Sequence, residues 1–174
     1  MPDTYYGSVA AADAYHAARA NTAWAGDDVA KQAALLRASV YIDGRYRKLL
    51  ASGVWQSLFP GVKTEGRGQA REWPRTGAYD YEGNPIPTDQ VPVEVEQATY
   101  EAAWREIVEP GSLSPDFVSA SMVKREKVGP LETEFAVSVG ADAASSVRPV
   151  ISIIDEMIAP VLVARYTLPA VFTV

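Results

Sequence analysis

The 174-residue chain is 48% hydrophobic and 22% charged, with 16 Lys and Arg against 22 Asp and Glu for a formal net charge of −6. That composition fits an ordinary soluble globular domain long enough to bury a core. The acidic balance disfavours a generic polyphosphate binder, although it leaves room for a local basic patch. The absence of cysteine excludes disulfides, thiol catalysis and cysteine-ligated metals.

The start, MPDTYYGSV, has neither a basic n-region nor an apolar h-region, so no signal peptide is expected. Residues 1–7 read as extended. Ser8 is an N-cap candidate for a short helix to about Ala20, with Val9, Ala12, Tyr15 and Ala18 or Arg19 on one face. His16, the single histidine, reads as a surface residue of that helix, because no Cys or second His exists to complete a metal site. Residues 21–26 form a turn from which Trp24 folds back as a core or staple residue. The stretch Asp27–Gly53 reads as one long helix, capped by Asp27 or Asp28 and closed by Gly53. Val29, Ala33, Leu36 and Val40 recur at helical spacing, and Leu35, Ile42, Tyr46, Leu49 and Leu50 widen the stripe. Gly44 is its weak point, where a kink or break could fall.

From 54 to 91 the chain is rich in Pro, Gly and aromatics, including Trp55, Phe59, Trp73, Tyr79 and Tyr81. A connection this long is functional or disordered when it occurs, and its aromatics call for burial on the helices or on a partner. Pro92 opens a second major helix at its first position, with Val93, Val95, Ala98, Tyr100, Ala102, Trp104 and Ile107 apolar and Glu94, Glu96, Glu101 and Glu106 on the acidic face. Pro110 and Gly111 end it. Residues 122–139 switch to strand alternation around a Gly129-Pro130 turn, giving a short hairpin. A linker of small residues follows. Pro149 then starts an apolar segment with Val150, Ile154, Met157, Ile158 and Val161 at helical spacing; a strand over PVISII is the alternative, and Pro160 should bend or end the element. Asp155 and Glu156 make this run too short and too charged to span a bilayer. The expected fold is mainly α: a small bundle of three to four helices with a short β-hairpin, a long loop over 54–91 and an extended C-terminal tail. The domain covers 1–164 and the tail 165–174.

No catalytic constellation emerges, so neither enzyme activity nor a cofactor or metal is expected. The basic, aromatic stretch from Lys63 to Arg75 is the best nucleic-acid candidate. There Arg67, Arg71 and Arg75 could meet phosphates while Trp73 stacks on a base. In the competing reading it is a structured loop with its arginines paired to acidic neighbours. Trp73, pushed toward extended backbone by Pro74, then anchors the loop on the helices, and Arg75 contacts a carboxylate or a carbonyl.

ADAYHAAR, KQAALLRASVYIDGRY, WPRTGAYDYEGNPIP, VPVEVEQATYEAAW and KREKVGPLETEF together resemble a family of small tailed-phage proteins similar to head–tail connectors, or adaptors. Related sequences are often labelled DnaT-like single-stranded-DNA-binding proteins. The connector resemblance implies a virion structural protein of the neck, made in the host cytoplasm, that forms a dodecameric ring beneath the portal. Its partners would be the portal protein, neighbouring copies, downstream tail or stopper proteins, and genomic DNA passing through the channel without specific binding. By the same analogy the tail residues Arg165, Tyr166, Leu168, Val171, Phe172 and Val174 would dock on the portal or an adjacent subunit, with Trp73 and Arg75 at a loop anchor or subunit contact. The alternative implied by the label is a single-stranded-DNA-binding protein, for which Arg67, Arg71 and Arg75 are the candidate contacts.

Overall fold

The structure is a computed structural model that describes residues 4–114, the strands 125–128 and 131–134, and residues 149–163. Its architecture is the expected mainly α domain with a short hairpin, to which the structure adds two further short antiparallel pairs. Helix α1 spans Val9–Ala18, and the Ser8 hydroxyl caps it by accepting the Ala11 N–H at 3.1 Å. Helix α2 spans Asp28–Arg45 and is capped by Asp27, whose carboxylate accepts the Ala30 N–H at 2.8 Å. Helix α3 spans Val93–Val108. Pro92 stands one place before it, at the N-cap, with its φ of −58° already set for the first turn. The helical alternative wins after Pro149: α4 spans Ser152–Ile158, and Pro160 converts its end into a 3-10 turn over Ala159–Val161.

The centre of the core is the packing of α2 on α3, with α1 across both and α4 against α3. The buried stripe of α2 is Ala34, Leu35, Ala38, Tyr41 and Ile42. The residues expected to lead it, Val29 and Val40, face solvent instead. Two stripes are nearly equal in the sequence, and the one carrying small alanines won because it lets α3 approach closely through Ala98, Ala102 and Ala103. On α3, the expected acidic face is partly internal. Glu101 accepts the Tyr15 hydroxyl proton at 3.0 Å and pairs with Arg105, and Glu106 pairs with Arg37 at 3.1 Å. Burial and the Glu101 carboxylate push the Tyr15 phenol up to about 12.

The largest departure is the end of α2. The helix stops at Arg45, one residue after Gly44, instead of running to Gly53. The chain then forms strands β1 (Arg47–Leu49) and β2 (Trp55–Ser57), paired antiparallel. The remainder of the 54–91 region is tied down by a further pair, β3 (Val62–Lys63) with β4 (Arg75–Thr76), and by a bridge between Tyr79 and Pro85. Strands β5 (Arg125–Val128) and β6 (Leu131–Glu134) form the hairpin anticipated within 122–139.

Candidate nucleic-acid interface

Trp73 and Arg75 hold the long loop. The Trp73 ring is 2% exposed and meets Phe59 edge-on at 5.7 Å. The Arg75 guanidinium, 5% exposed, donates to Pro60 O and Gly61 O at 2.7 Å each, and to Glu72 O at 3.1 Å and its carboxylate at 2.8 Å. A planar fork of donors suits this cage of carbonyls as a lysine ammonium would not. Both side chains are therefore inside the protein, and neither is presented to a phosphate or a base.

Arg71 is committed as well. It donates to Thr4 O at 2.6 Å and pairs with Asp43 at 3.5 Å. The Asp43 carboxylate also takes the Tyr6 hydroxyl proton at 2.5 Å, and that hydroxyl accepts the backbone N–H groups of Glu72 and Trp73. One small cluster thus joins the N-terminal segment, the end of α2 and the loop. Burial raises the Asp43 carboxyl to about 6 against the opposing pull of Tyr6 and Arg71. Of the three arginines expected to contact nucleic acid, only Arg67, on the exposed 3-10 turn Gly66–Gly68, remains accessible. The grouping of Arg67, Arg71 and Arg75 as one DNA-facing set is corrected on that ground. The six tail residues from Arg165 to Val174 lie outside the described residues.

His16 is buried, contrary to its expected surface position. Its ring lies 4.6 Å from that of Trp24, and Asn21 Nδ2 sits 3.1 Å from its Nδ1. Burial lowers its pKa, which favours the neutral ring. Beside it, Asp13 accepts from Trp24 Nε1 at 2.6 Å and from Lys31 at 2.9 Å. These contacts fasten the turn after α1 onto α2. Among the described residues, no group of three or more His, Asp or Glu could hold a metal ion. A groove of about 630 Å³ between α2 and the end of α3 is walled by Leu36, Val40 and Leu113, and its charged groups Arg37 and Glu106 neutralise each other.

What the structure does expose is the β1–β2 hairpin. Arg47 pairs with Ser57, Lys48 with Gln56 and Leu49 with Trp55, and Leu50 N–H reaches Val54 O at 2.8 Å. The Trp55 ring is 59% exposed, and the Arg47 guanidinium lies 5.4 Å from its centroid. Alternation along the strands places Arg47, Leu49 and Trp55 on one face and Lys48, Leu50 and Val54 on the other. The base is fixed. Tyr46 is buried, its carbonyl accepts the Leu58 N–H at 2.8 Å, and its hydroxyl donates to Asp155 at 2.7 Å. Arg45 adds an ion pair to the same carboxylate. A signal for this hairpin was present in the sequence. From Gly44 to Thr64 the chain carries four cations and no carboxylate, and Ala51-Ser52-Gly53 separates two apolar dipeptides.

The structure is thus a small mainly α domain that presents a fixed, basic and aromatic hairpin. The family comparison makes this more specific. The model of the family described as "Putative DnaT-like ssDNA binding protein" matches residues 3–172, and the chain belongs to that family. No curated protein and no solved structure matches it. The expectation of a virion connector, with its dodecameric ring, neck location and portal partner, is corrected by this result. The match is to a family described by single-stranded-DNA binding, and nothing in the comparisons points to a connector, a portal or a ring.

Proposed function

We propose that this protein binds single-stranded DNA through Arg47, Lys48 and Trp55, as a binding module without chemistry of its own. The observation that carries the reading is the largely exposed Trp55 ring beside the Arg47 guanidinium, on a hairpin free of carboxylates. An exposed indole stacks on any base, for roughly 1–3 kcal/mol per base, and the neighbouring cations meet the phosphates on either side. The family description agrees with this choice of ligand. The net charge of −6 sets a limit, because a body this acidic repels the strand beyond the hairpin; with Arg47 and Lys48 as the phosphate contacts, affinity should be modest and fall with salt at a shallow log–log slope of about −1.4.

Fluorescence anisotropy with a labelled dT oligonucleotide over a range of salt tests the reading. Trp55→Ala should weaken binding roughly 5- to 150-fold, the equivalent of one stacked base. Replacing Arg47 and Lys48 together by Ala should flatten the slope of log affinity against log salt by about 1.4, at about 0.7 per phosphate contact. Binding that neither substitution alters would refute the assignment.

A further inference from the structure

We propose that the β1–β2 hairpin is a wedge that seats at the junction where duplex DNA opens into single strands. This rests on the single-strand reading above and goes beyond it. An ordinary surface hairpin is apolar on the face that packs against its own core and polar on the other. This one is divided along its length instead. Arg47 and Lys48 stand at its base, one per face, and beyond them come Leu49 with Trp55 on one face and Leu50 with Val54 on the other. Both faces reach solvent: Leu49 is 40% exposed, Leu50 36%, Val54 58% and Trp55 59%. The turn beyond them, Ala51-Ser52-Gly53, is small and uncharged, and Gly53 closes it at a φ of +79°.

A single strand bound as above would use Trp55, Arg47 and the Lys48 charge at the base of the hairpin, and leave the apolar pair Leu50 and Val54 without a role. A junction uses both faces. Each diverging strand lays its first unpaired base against an apolar pair near the tip and its phosphate against the cation behind. The dimensions favour the same arrangement. A strand pair with side chains on both faces is about 10 Å thick, too thick to enter between bases stacked about 3.4 Å apart, but suited to the space between strands that have already parted. Apolar side chains at unstacked bases are an established means of holding an opened step. The fixed base of the hairpin, at Tyr46 and Leu58, keeps the wedge from folding away when bases press on it.

The full chain should be titrated against a dT oligonucleotide, a blunt duplex, and that duplex carrying the same dT sequence as a tail on both strands of one end, so that two single strands diverge, with 2-aminopurine in the pair next to the tails. The wild-type protein should bind the tailed duplex about tenfold more tightly than the dT strand and brighten the 2-aminopurine. Leu50→Ser combined with Val54→Ser changes only exposed side chains. It should bring the tailed duplex down to the affinity of the dT strand, abolish the brightening and leave dT binding unchanged. Equal wild-type affinity for the two probes, with Trp55→Ala weakening both, would overturn the wedge and leave single-strand binding intact. Trp55→Ala without effect on the dT strand would overturn both. Loss of binding to phosphatidylglycerol vesicles in the Leu50, Val54 variant, with all DNA affinities unaltered, would assign the tip to a membrane surface and overturn the wedge.

Discussion

Replacing Trp73 by Ala tests whether the long loop is part of the folded core. A buried Trp→Ala change costs about 3–5 kcal/mol in transfer and cavity terms. Here the sum is smaller. The Trp73 Nε1 atom is buried with no hydrogen-bond partner, so the native state already carries a desolvation penalty of about 1 kcal/mol, the low end of the range for a buried neutral donor, that leaves with the indole. The expected loss is therefore about 2–4 kcal/mol. With a urea m-value of about 2 kcal/mol/M, the unfolding midpoint should fall by roughly 1–2 M. Trp73→Phe separates the two contributions. It keeps an aromatic ring against Phe59, removes the unpartnered N–H, and should cost less than about 1.5 kcal/mol. The reasoning is refuted if Trp73→Ala costs under about 1 kcal/mol at unchanged m, or if Phe is as damaging as Ala.

Arg75→Lys keeps the charge but cannot reach Pro60 O, Gly61 O and Glu72 together, so about 2–3 kcal/mol of stability should be lost by urea unfolding. Binding of the folded variant to dT strands should be unchanged in the anisotropy assay, since the side chain is internal. Asp43 gives a pH signature. Its folded carboxyl lies near 6, above the value of about 3.9 in an unfolded chain, so the folded state holds the proton more tightly. The resulting stability is fully present below about pH 4 and is lost as pH rises through 6. Relative to Asp43→Asn, the wild-type protein should therefore lose up to about 3 kcal/mol between pH 4 and pH 7. A constant difference between the two proteins across that window would show that the carboxyl titrates normally.

Element starts were legible because local chemistry writes them. Ser8 and Asp27 cap helices through their own side-chain oxygens, and Pro92 supplies the torsion with which α3 opens. The hairpin containing Leu131 was legible from its alternation. The end of α2 was not. Leu49 and Leu50 fall in helical register with Ile42 and Tyr46, so periodicity alone extends the helix, whereas Gly44, the Gly53 turn and Trp55 decide for a hairpin. A helix running to Gly53 would carry Arg47 and Lys48 near its C-terminal end, where cations are ordinary partners of the helix dipole, and so hides the candidate interface. For Arg75 the structured-loop reading, a contact to a carboxylate or a carbonyl, is what the fold shows, while the nucleic-acid alternative for Arg71 and Arg75 is not. The sequence could not name most of the acceptors, because Thr4 O, Pro60 O and Gly61 O are backbone atoms brought together only by the fold. His16 was misplaced because Asn21 and Trp24, which cover it, reach it only once the turn after α1 has closed.

The passage from α2 into β1 has a mechanical meaning. One residue, Tyr46, separates the helix from the strand, so the hairpin is a cantilever built into an 18-residue beam. A load on the Trp55 ring passes through Tyr46 to two supports: the Asp155 carboxylate on α4 on one side, and the Asp43–Tyr6 junction one helical turn back on the other. A force that bends the tip therefore strains α2, α4 and the N-terminal segment together. The hairpin moves only as far as the whole domain yields.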